Sequence, residues 1–418
     1  MQSALPKRLS PGPERAGSGR RLTRRPGRIP HRQGRRQPAR LHRNAGANFM
    51  RPTSLRDAYA AIGNRGPGFE TPTLVAASAV VLHHSMKIEH DIVRDDWLFR
   101  FSGGYTQLGL LAVSVFFALS GYLVTPGLAK SGNVIGYLSR RFMRIMPLLA
   151  TIVVVTALVI GPLVSALPAA EYFASRATWR YLTTVTTFLS LQLPGVTDYD
   201  GGNTINGPIW TLNVEWMCYL MLAALAATGA LSRRWIVLAF YVAAMLVLFF
   251  GLGPIPGDEI RGRPFVMLFL FGYFGAGMLL SLFGDLIPWS KGLMLAALAA
   301  LVGVYTTPFD YLLAPLLTAY LVVGIGLIRF PETPLTTGVD LSYGVYLSHS
   351  VILMVLMNIH PFQSWPVLFA LCLALSYATA FLSWRFIEAP ALGHKDLPEK
   401  IVRRIIARVI PSREAGAA

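Results

Sequence analysis

The histidine pair His83-His84 is notable because ionisable side chains are rare within the apolar stretch that contains it. A neutral imidazole can take a proton from a hydroxyl near neutral pH, since its unperturbed pKa is roughly 6.5. Consecutive side chains of a helix point about 100° apart, so we expect one imidazole to face the protein interior. The alternative interpretation is a histidine at a membrane surface with no chemical role.

Glu215 is a second ionisable group inside an apolar stretch, where it follows the sequence Asn206-Gly-Pro-Ile-Trp-Thr-Leu-Asn-Val. A carboxylate about two turns into an apolar helix should face a polar cavity. There it could orient an imidazole or a substrate. A structural hydrogen bond to a neighbouring helix is an equally good interpretation.

Three arginines, Arg140, Arg141 and Arg144, form a basic cluster directly before another apolar stretch. Arg141 and Arg144 are three residues apart and would share a helical face, a geometry suited to phosphate oxygens. Charges that only fix the orientation of the chain in a membrane are the alternative.

Hydroxyl and imidazole groups also gather in the apolar stretch 341–359. Its members are Ser342, Tyr343, Tyr346, Ser348 and His349. Tyr343, Tyr346 and His349 form roughly one stripe at helical spacing. Because such stripes more often join helices together, packing is the default interpretation here.

The elements that must position these groups are membrane-spanning helices. The chain has 418 residues, of which 53% are apolar and 14% are charged, and its mean hydropathy is +0.49. This composition predicts an all-α membrane protein. Ten stretches are apolar and long enough to cross a bilayer. They are 71–88, 106–126, 146–167, 208–230, 234–252, 264–284, 290–306, 309–328, 341–359 and 365–387. The hydroxyl-rich stretch 178–193 is predicted to be interfacial or re-entrant.

The distribution of cations predicts that both termini are cytoplasmic, because the gaps on that side carry more arginine and lysine. The extracytoplasmic segments are then 89–105, 168–207 and 253–263. Residues 1–60 form a basic arm that we predict to be disordered, since it has few apolar residues to bury. It is either a polybasic tether to anionic lipid or RNA, or a start placed too far upstream of Met50; we favour the latter. Residues 391–418 are predicted to be a basic cytoplasmic tail.

Seven short motifs follow one another along residues 66–390. They are Gly66-Pro-Gly-Phe-Glu70, Val80-Val-Leu-His-His84-Ser, Ser114-Val-Phe-Phe-Ala-Leu-Ser120-Gly-Tyr-Leu, Arg140-Arg-Phe-Met-Arg144-Ile-Met-Pro147, Asn206-Gly-Pro-Ile-Trp210-Thr-Leu, Leu341-Ser-Tyr-Gly-Val-Tyr-Leu-Ser-His349 and Trp384-Arg-Phe-Ile-Glu388-Ala-Pro390. In this order they resemble the acyltransferase-3 family of integral-membrane O-acyltransferases, whose members modify surface polysaccharides, lipopolysaccharide and small glycosylated molecules.

The resemblance implies that His84, which directly precedes Ser85, is catalytic. It assigns Arg141 and Arg144, in the first cytoplasmic loop, to acyl-CoA handling, with Arg140 beside them. Two positions depart from the family pattern. Thr73 stands where an arginine is common, and Ser114 stands where an aspartate, a possible partner of the imidazole, is common. We expect Glu215 or an acid of an outer segment to take over that role.

The expected reaction moves an acyl group, most often acetyl, from cytosolic acyl-CoA to a hydroxyl of a cell-surface or lipid-linked glycan. The imidazole either deprotonates the hydroxyl or carries the acyl group itself. Donors to the developing oxyanion would come from Ser120, Asn206 or Trp210, and Tyr343 and His349 are supporting candidates. We expect no metal, no permanently bound cofactor and no nucleic acid, and a place in the bacterial cytoplasmic membrane. The alternatives are a proton-coupled transporter or flippase, and a scaffold of polysaccharide assembly that has lost its activity.

Overall fold

A computed structural model describes residues 54–63, 67–86, 96–186, 188–251, 263–328, 330, 338–360 and 364–409. Within these ranges every regular element is helical, apart from one isolated bridge between Ser54 and Pro288. The all-α prediction is therefore confirmed for the described residues. Most of the predicted basic arm, and residues 89–95 and 253–262 of two predicted outer segments, lie outside them.

Fifteen α-helices are found in the described part of the chain. They are α1 (Leu55–Ala61), α2 (Glu70–Ser85), α3 (Trp97–Ser102), α4 (Leu108–Ser131), α5 (Val134–Val155), α6 (Ala169–Ala174), α7 (Arg176–Tyr181), α8 (Trp210–Ala227), α9 (Arg234–Gly251), α10 (Arg263–Leu282), α11 (Lys291–Val304), α12 (Asp310–Gly326), α13 (Ser342–Ile359), α14 (Trp365–Ser383) and α15 (Leu397–Val409). A π-helical turn, Thr156–Ile160, and a short helix, Gly161–Val164, prolong α5. In the same way Trp384–Glu388 and Ala389–Gly393 prolong α14.

Five helical segments are long and apolar enough to cross a membrane: Leu108–Ser131, Val134–Val164, Gly207–Ala227, Ser342–Ile359 and Trp365–Arg408. Four shorter apolar helices lie at Arg234–Phe250, Met267–Leu282, Lys291–Val304 and Asp310–Gly326. Each of the ten predicted stretches contains a helix. The total of ten crossings and the cytoplasmic position of both termini stay predictions.

Small residues allow α4 and α10 to pack closely. A Cβ atom added to Gly121 would collide with the backbone carbonyl of Phe274, and one added to Gly277 would collide with that of Ala118. The two contacts are reciprocal, so the backbones of α4 and α10 approach each other closely at Gly121 and at Gly277. This is the way membrane helices gain dispersion contacts when lipid is as apolar as their side chains.

The structure corrects the prediction for the arginine cluster. Hydropathy predicted a span that begins at residue 146, and the resemblance placed the arginines in the loop before it. In the structure α5 begins at Val134 and contains all three arginines. Its start is well defined, since Gly132 ends α4 with a left-handed φ of 60° and the Asn133 side chain accepts a hydrogen bond from the backbone N–H of Gly136. A glycine C-cap followed by an asparagine N-cap makes a tight helix-to-helix turn.

The stretch 178–193 forms no spanning helix among its described residues. It contains the end of α7 and a 3₁₀ turn, Leu182–Val185, and then continues without regular structure. At the other end of the chain, residues 397–409 of the predicted basic tail form α15. This helix docks on the start of α5, where Asn133 donates to Glu399 at 2.9 Å.

Candidate active site

The two histidines of α2 line a cavity of about 270 Å³. Its walls are formed by the C-terminal end of α2 and the N-terminal end of α4, by the start of α8 and the segment before it, and by one residue of α13. The polar lining consists of His83, His84, Gln107, Asp198, Tyr199, Asp200, Thr204, Trp210, Thr211 and Tyr346. Hydroxyl, amide, carboxylate and indole groups beside two imidazoles suit a polyhydroxylated ligand.

His84 is held by Tyr199, which comes from the segment before α8. The Tyr199 hydroxyl and Nδ1 of His84 are hydrogen bonded at 2.6 Å, and their rings meet edge to face with centroids 6.0 Å apart. Tyr199 is buried, and this burial, with the negative charges of Asp198 and Asp200, raises the pKa of its hydroxyl. Tyr199 therefore keeps its proton at neutral pH and acts on the imidazole as a neutral partner.

His83 has a carboxylate partner instead. Its Nδ1 lies 3.2 Å from Oδ2 of Asp96, and both side chains are buried. Asp96 caps α3, because its Oδ1 accepts from the backbone N–H groups of Leu98 and Phe99. A carboxylate from a predicted outer segment is therefore present beside the histidine pair, and it contacts His83.

A third imidazole, that of His349 in α13, lies beside His84 with ring centroids 5.1 Å apart. It is fully buried, and its Nδ1–H donates to the backbone carbonyl of Tyr346 at 2.6 Å. Its Nε2 has no hydrogen-bond partner within the described residues. His349 is thus part of the histidine cluster, which the packing interpretation of the sequence did not foresee.

Two of the predicted oxyanion donors are not part of this cavity's lining, whereas Trp210 is. The Asn206 amide is fully buried and donates to the backbone carbonyl of Leu347 at 3.2 Å. Asn206 also adopts a left-handed φ of 54°, which shapes the turn into α8. Ser120 lies elsewhere, where its hydroxyl is 3.0 Å from that of Tyr219.

Glu215 belongs to a second polar group, deeper in the protein. The Tyr219 hydroxyl donates to Glu215, and the Arg141 guanidinium lies 5.7 Å from the centre of the Tyr219 ring. Thr211, Glu215 and Tyr219 are spaced by four residues on α8, so they share one face over about 12 Å. That face connects the histidine cavity to the arginines, because Thr211 lines the cavity and its hydroxyl lies 2.8 Å from that of Tyr346.

Arg144 is ion paired with two carboxylates. Its guanidinium bonds to Asp340 and to Glu388, the latter at 2.8 Å. It also lies 5.2 Å from the ring centre of Tyr343, whose hydroxyl donates to the backbone carbonyl of Ile145. Arg144 is therefore charge-compensated by the protein, whereas Arg141 has no ion pair within the described part of the chain.

The other predicted residues take structural positions. Arg140 is half-buried and interacts electrostatically with the Glu399 carboxylate, which accepts hydrogen bonds from Asn133 and Arg403. The Thr73 hydroxyl donates a hydrogen bond to the backbone carbonyl of Glu70 in the same helix, at 2.8 Å. Ser114 is fully buried and donates to the carbonyl of Leu110, also at 2.8 Å.

The described residues contain no group of three or more His, Cys, Asp or Glu side chains that could hold a metal ion. Sequence reasoning did not single out Asp96, Asp340 or Glu388 as partners of the chemistry-bearing residues. Asp96 and Tyr199 belong to none of the sequence motifs, so the sequence alone gave them no role.

Known proteins provide an independent comparison. The model of an acyltransferase domain family matches residues 74–385. The chain is 25% identical, over 334 residues, to a protein of Shigella phage Sf6 named O-acetyl transferase; the match covers 77% of this chain and 94% of that protein. It is 26% identical over 365 residues to Nodulation protein 10 of Rhizobium leguminosarum bv. viciae, with 78% and 92% covered.

No solved structure matches this chain. The family match spans most of the sequence, from within α2 to the end of α14, and so includes both histidines, the arginines of α5 and the polar face of α8. On this ground the chain belongs to the acyltransferase-3 family of membrane proteins and is an acyltransferase.

Proposed function

We propose that this enzyme transfers an acetyl group from cytosolic acetyl-CoA to a hydroxyl of a cell-surface or lipid-linked glycan. The observation that carries the proposal is the polar cavity in which His83, His84 and Tyr199 meet. The name of the Shigella phage relative, O-acetyl transferase, supports acetyl as the transferred group and an oxygen atom as its acceptor. The bacterial cytoplasmic membrane is the proposed location.

The acceptor would occupy the cavity. Trp210 offers an apolar ring face to a sugar, and Asp200, Gln107 and Thr204 offer hydrogen bonds to its hydroxyls. Aromatic faces combined with a few placed polar groups are the usual means of orienting such ligands.

The donor would approach along the polar face of α8. The phosphates of acetyl-CoA would bind near Arg141, which has no ion pair within the described residues. The thioester would pass Tyr219 and Glu215 toward Thr211 at the cavity. In this proposal Arg144 shapes the site through its ion pairs and does not itself bind phosphate.

In the chemical step the acceptor oxygen bonds to the acyl carbon and the carbon–sulfur bond breaks. The acceptor proton passes to an imidazole, and the thiolate leaves as CoA once it has been protonated. His84 contacts the reacting groups, either as a base or as a transient carrier of the acetyl group. The overall reaction needs no oxidant and no metal.

The test uses membranes of the source organism and of a deletion strain, supplied with acetyl-CoA that is radiolabelled in its acetyl group. We expect alkali-labile label in the glycan or lipid-linked fraction of the wild type and its absence in the deletion strain. Equal labelling of both strains would contradict the proposal. It would favour the alternative of a scaffold without activity.

A further inference from the structure

The Asp96 side chain accepts four hydrogen bonds, which is an environment that favours the ionised carboxylate. Oδ1 accepts from the backbone N–H groups of Leu98 at 2.8 Å and Phe99 at 3.3 Å. Oδ2 accepts from the backbone N–H of Leu108 at 2.8 Å and from Nδ1 of His83 at 3.2 Å. Burial acts to raise the pKa of Asp96, but the hydrogen bonds from His83, Leu108 and Leu98 outweigh it and hold the pKa below its usual value.

An ionised carboxylate only accepts hydrogen bonds, so Nδ1 of His83 must carry the proton. The neutral imidazole then has its lone pair on Nε2. No hydrogen bond to Nε2 is found among the described residues, and the ring lines the cavity. His83 is 8% exposed and its ring lines the cavity, so a ring of fixed orientation borders the space that the acceptor would occupy.

His84 differs in this respect. Its partner is the Tyr199 hydroxyl, which can either donate or accept, so this contact does not fix the tautomer of His84. If the Tyr199 hydroxyl donates to Nδ1, the neutral His84 carries its proton on Nε2 and is a hydrogen-bond donor there. The two adjacent rings, with centroids 5.3 Å apart, are therefore suited to different tasks.

We propose that His83, held by Asp96, is the base that accepts the proton of the acceptor hydroxyl. This inference rests on the proposed acetyl transfer and adds a second catalytic histidine to it. As the acceptor oxygen bonds to the acyl carbon, its proton moves to Nε2 of His83, and Asp96 stabilises the imidazolium. The carbon–sulfur bond breaks, and the proton then neutralises the departing thiolate of CoA. Asp96 is a positioning residue and does not touch the substrate.

With His83 as the base, His84 does not accept the proton of the acceptor and instead acts on the acyl donor. An Nε2–H group on His84 would donate to the thioester oxygen as negative charge develops there. The other titratable groups around the pair are Asp198, Tyr199 and Asp200 of the segment before α8, and His349 of α13. None of them makes a described hydrogen bond to His83, so Asp96 is the group that sets its orientation.

The decisive variant is His83→Asn, which removes the basic nitrogen but keeps an N–H donor for Asp96. Membranes that carry it are assayed for ester formation from radiolabelled acetyl-CoA, beside wild type and His84→Asn. Val75→Ala is the matched control, because Val75 lies on the same helix and is 64% exposed. We expect a loss of about 10²- to 10⁴-fold for His83→Asn, an unchanged rate for Val75→Ala, and equal amounts of each protein.

Added imidazole distinguishes a missing base from a structural defect. We expect it to restore part of the activity of His83→Asn and to leave the wild type unchanged. A wild-type rate in His83→Asn, or a loss that imidazole does not relieve, would overturn the role of His83. Failure of the proposed function looks different, since then wild-type membranes themselves would form no ester from acetyl-CoA.

Discussion

The Tyr199 hydroxyl lies 2.6 Å from Nδ1 of His84, although the two residues are 115 positions apart in the sequence. The contact joins the end of α2 to the segment before α8 and forms one wall of the histidine cavity. It also gives His84 a neutral partner, whereas the neighbouring His83 has an anionic one. The orientation of His84 therefore depends on the segment before α8, which is not part of a helix long enough to span a membrane.

Tyr199→Phe tests this dependence. The phenylalanine ring keeps the edge-to-face packing against His84 but removes the hydroxyl that bonds Nδ1. We expect kcat to fall by about 10- to 100-fold, because a misplaced reacting group costs roughly this much. The measurement is ester formation by membranes at saturating acetyl-CoA, with the amount of protein checked by immunoblot. An unchanged kcat would show that the hydroxyl does not orient the imidazole.

The two arginines of the Arg-x-x-Arg motif should respond differently to substitution. Arg144→Ala leaves Glu388, only 2% exposed, without its cation. The loss of a buried partner costs about 3 kcal/mol or more. We therefore expect a lower melting temperature for purified Arg144→Ala in detergent or nanodiscs.

Arg141→Ala should instead keep the wild-type melting temperature and raise KM for acetyl-CoA. A charged hydrogen bond to phosphate contributes about 1.5 to 3 kcal/mol, so the expected rise is about tenfold or more. The Val75→Ala variant serves as the control for both measurements. An unchanged KM in Arg141→Ala would show that Arg141 does not bind the phosphates of acetyl-CoA.

Gly109 provides a steric test of the position of His83. A Cβ atom at Gly109 would lie 2.7 Å from Nε2 of His83, so Gly109→Ala must displace the imidazole. Gly127→Ala is the matched control on the same helix, since a Cβ there meets nothing within 4 Å. We expect Gly109→Ala to lose most of its acetyl transfer while Gly127→Ala keeps it. Equal rates of acetyl transfer by the two variants would contradict the close approach of Gly109 to the His83 ring.

The features that the sequence predicts well depend on local composition. Apolar stretches of about 20 residues identify helices, so each predicted stretch contains one. The order of the short motifs identifies the family even though Thr73 and Ser114 depart from its pattern. The same motifs single out His84 as a catalytic candidate without any knowledge of its neighbours, and its catalytic role stays a prediction.

The partners of the functional residues were harder to predict because they are distant in sequence. Asp96 and Tyr199 lie in outer segments without hydrophobic periodicity, and nothing local pairs them with α2. Similarly, Arg144 meets Asp340 and Glu388 only after α5, α13 and α14 have packed together. The start of α5 was missed for another reason: hydropathy defines the apolar part of a helix, whereas Gly132 and Asn133 define its first turn.

Whether acetyl transfer occurs at His84 can be decided with a single substitution. His84→Asn is compared with wild type in membranes supplied with radiolabelled acetyl-CoA, at equal protein amounts and equal melting temperatures. If His84 is catalytic, alkali-labile label falls by about 10²-fold or more in this variant. Labelling at the wild-type level in His84→Asn would contradict this role.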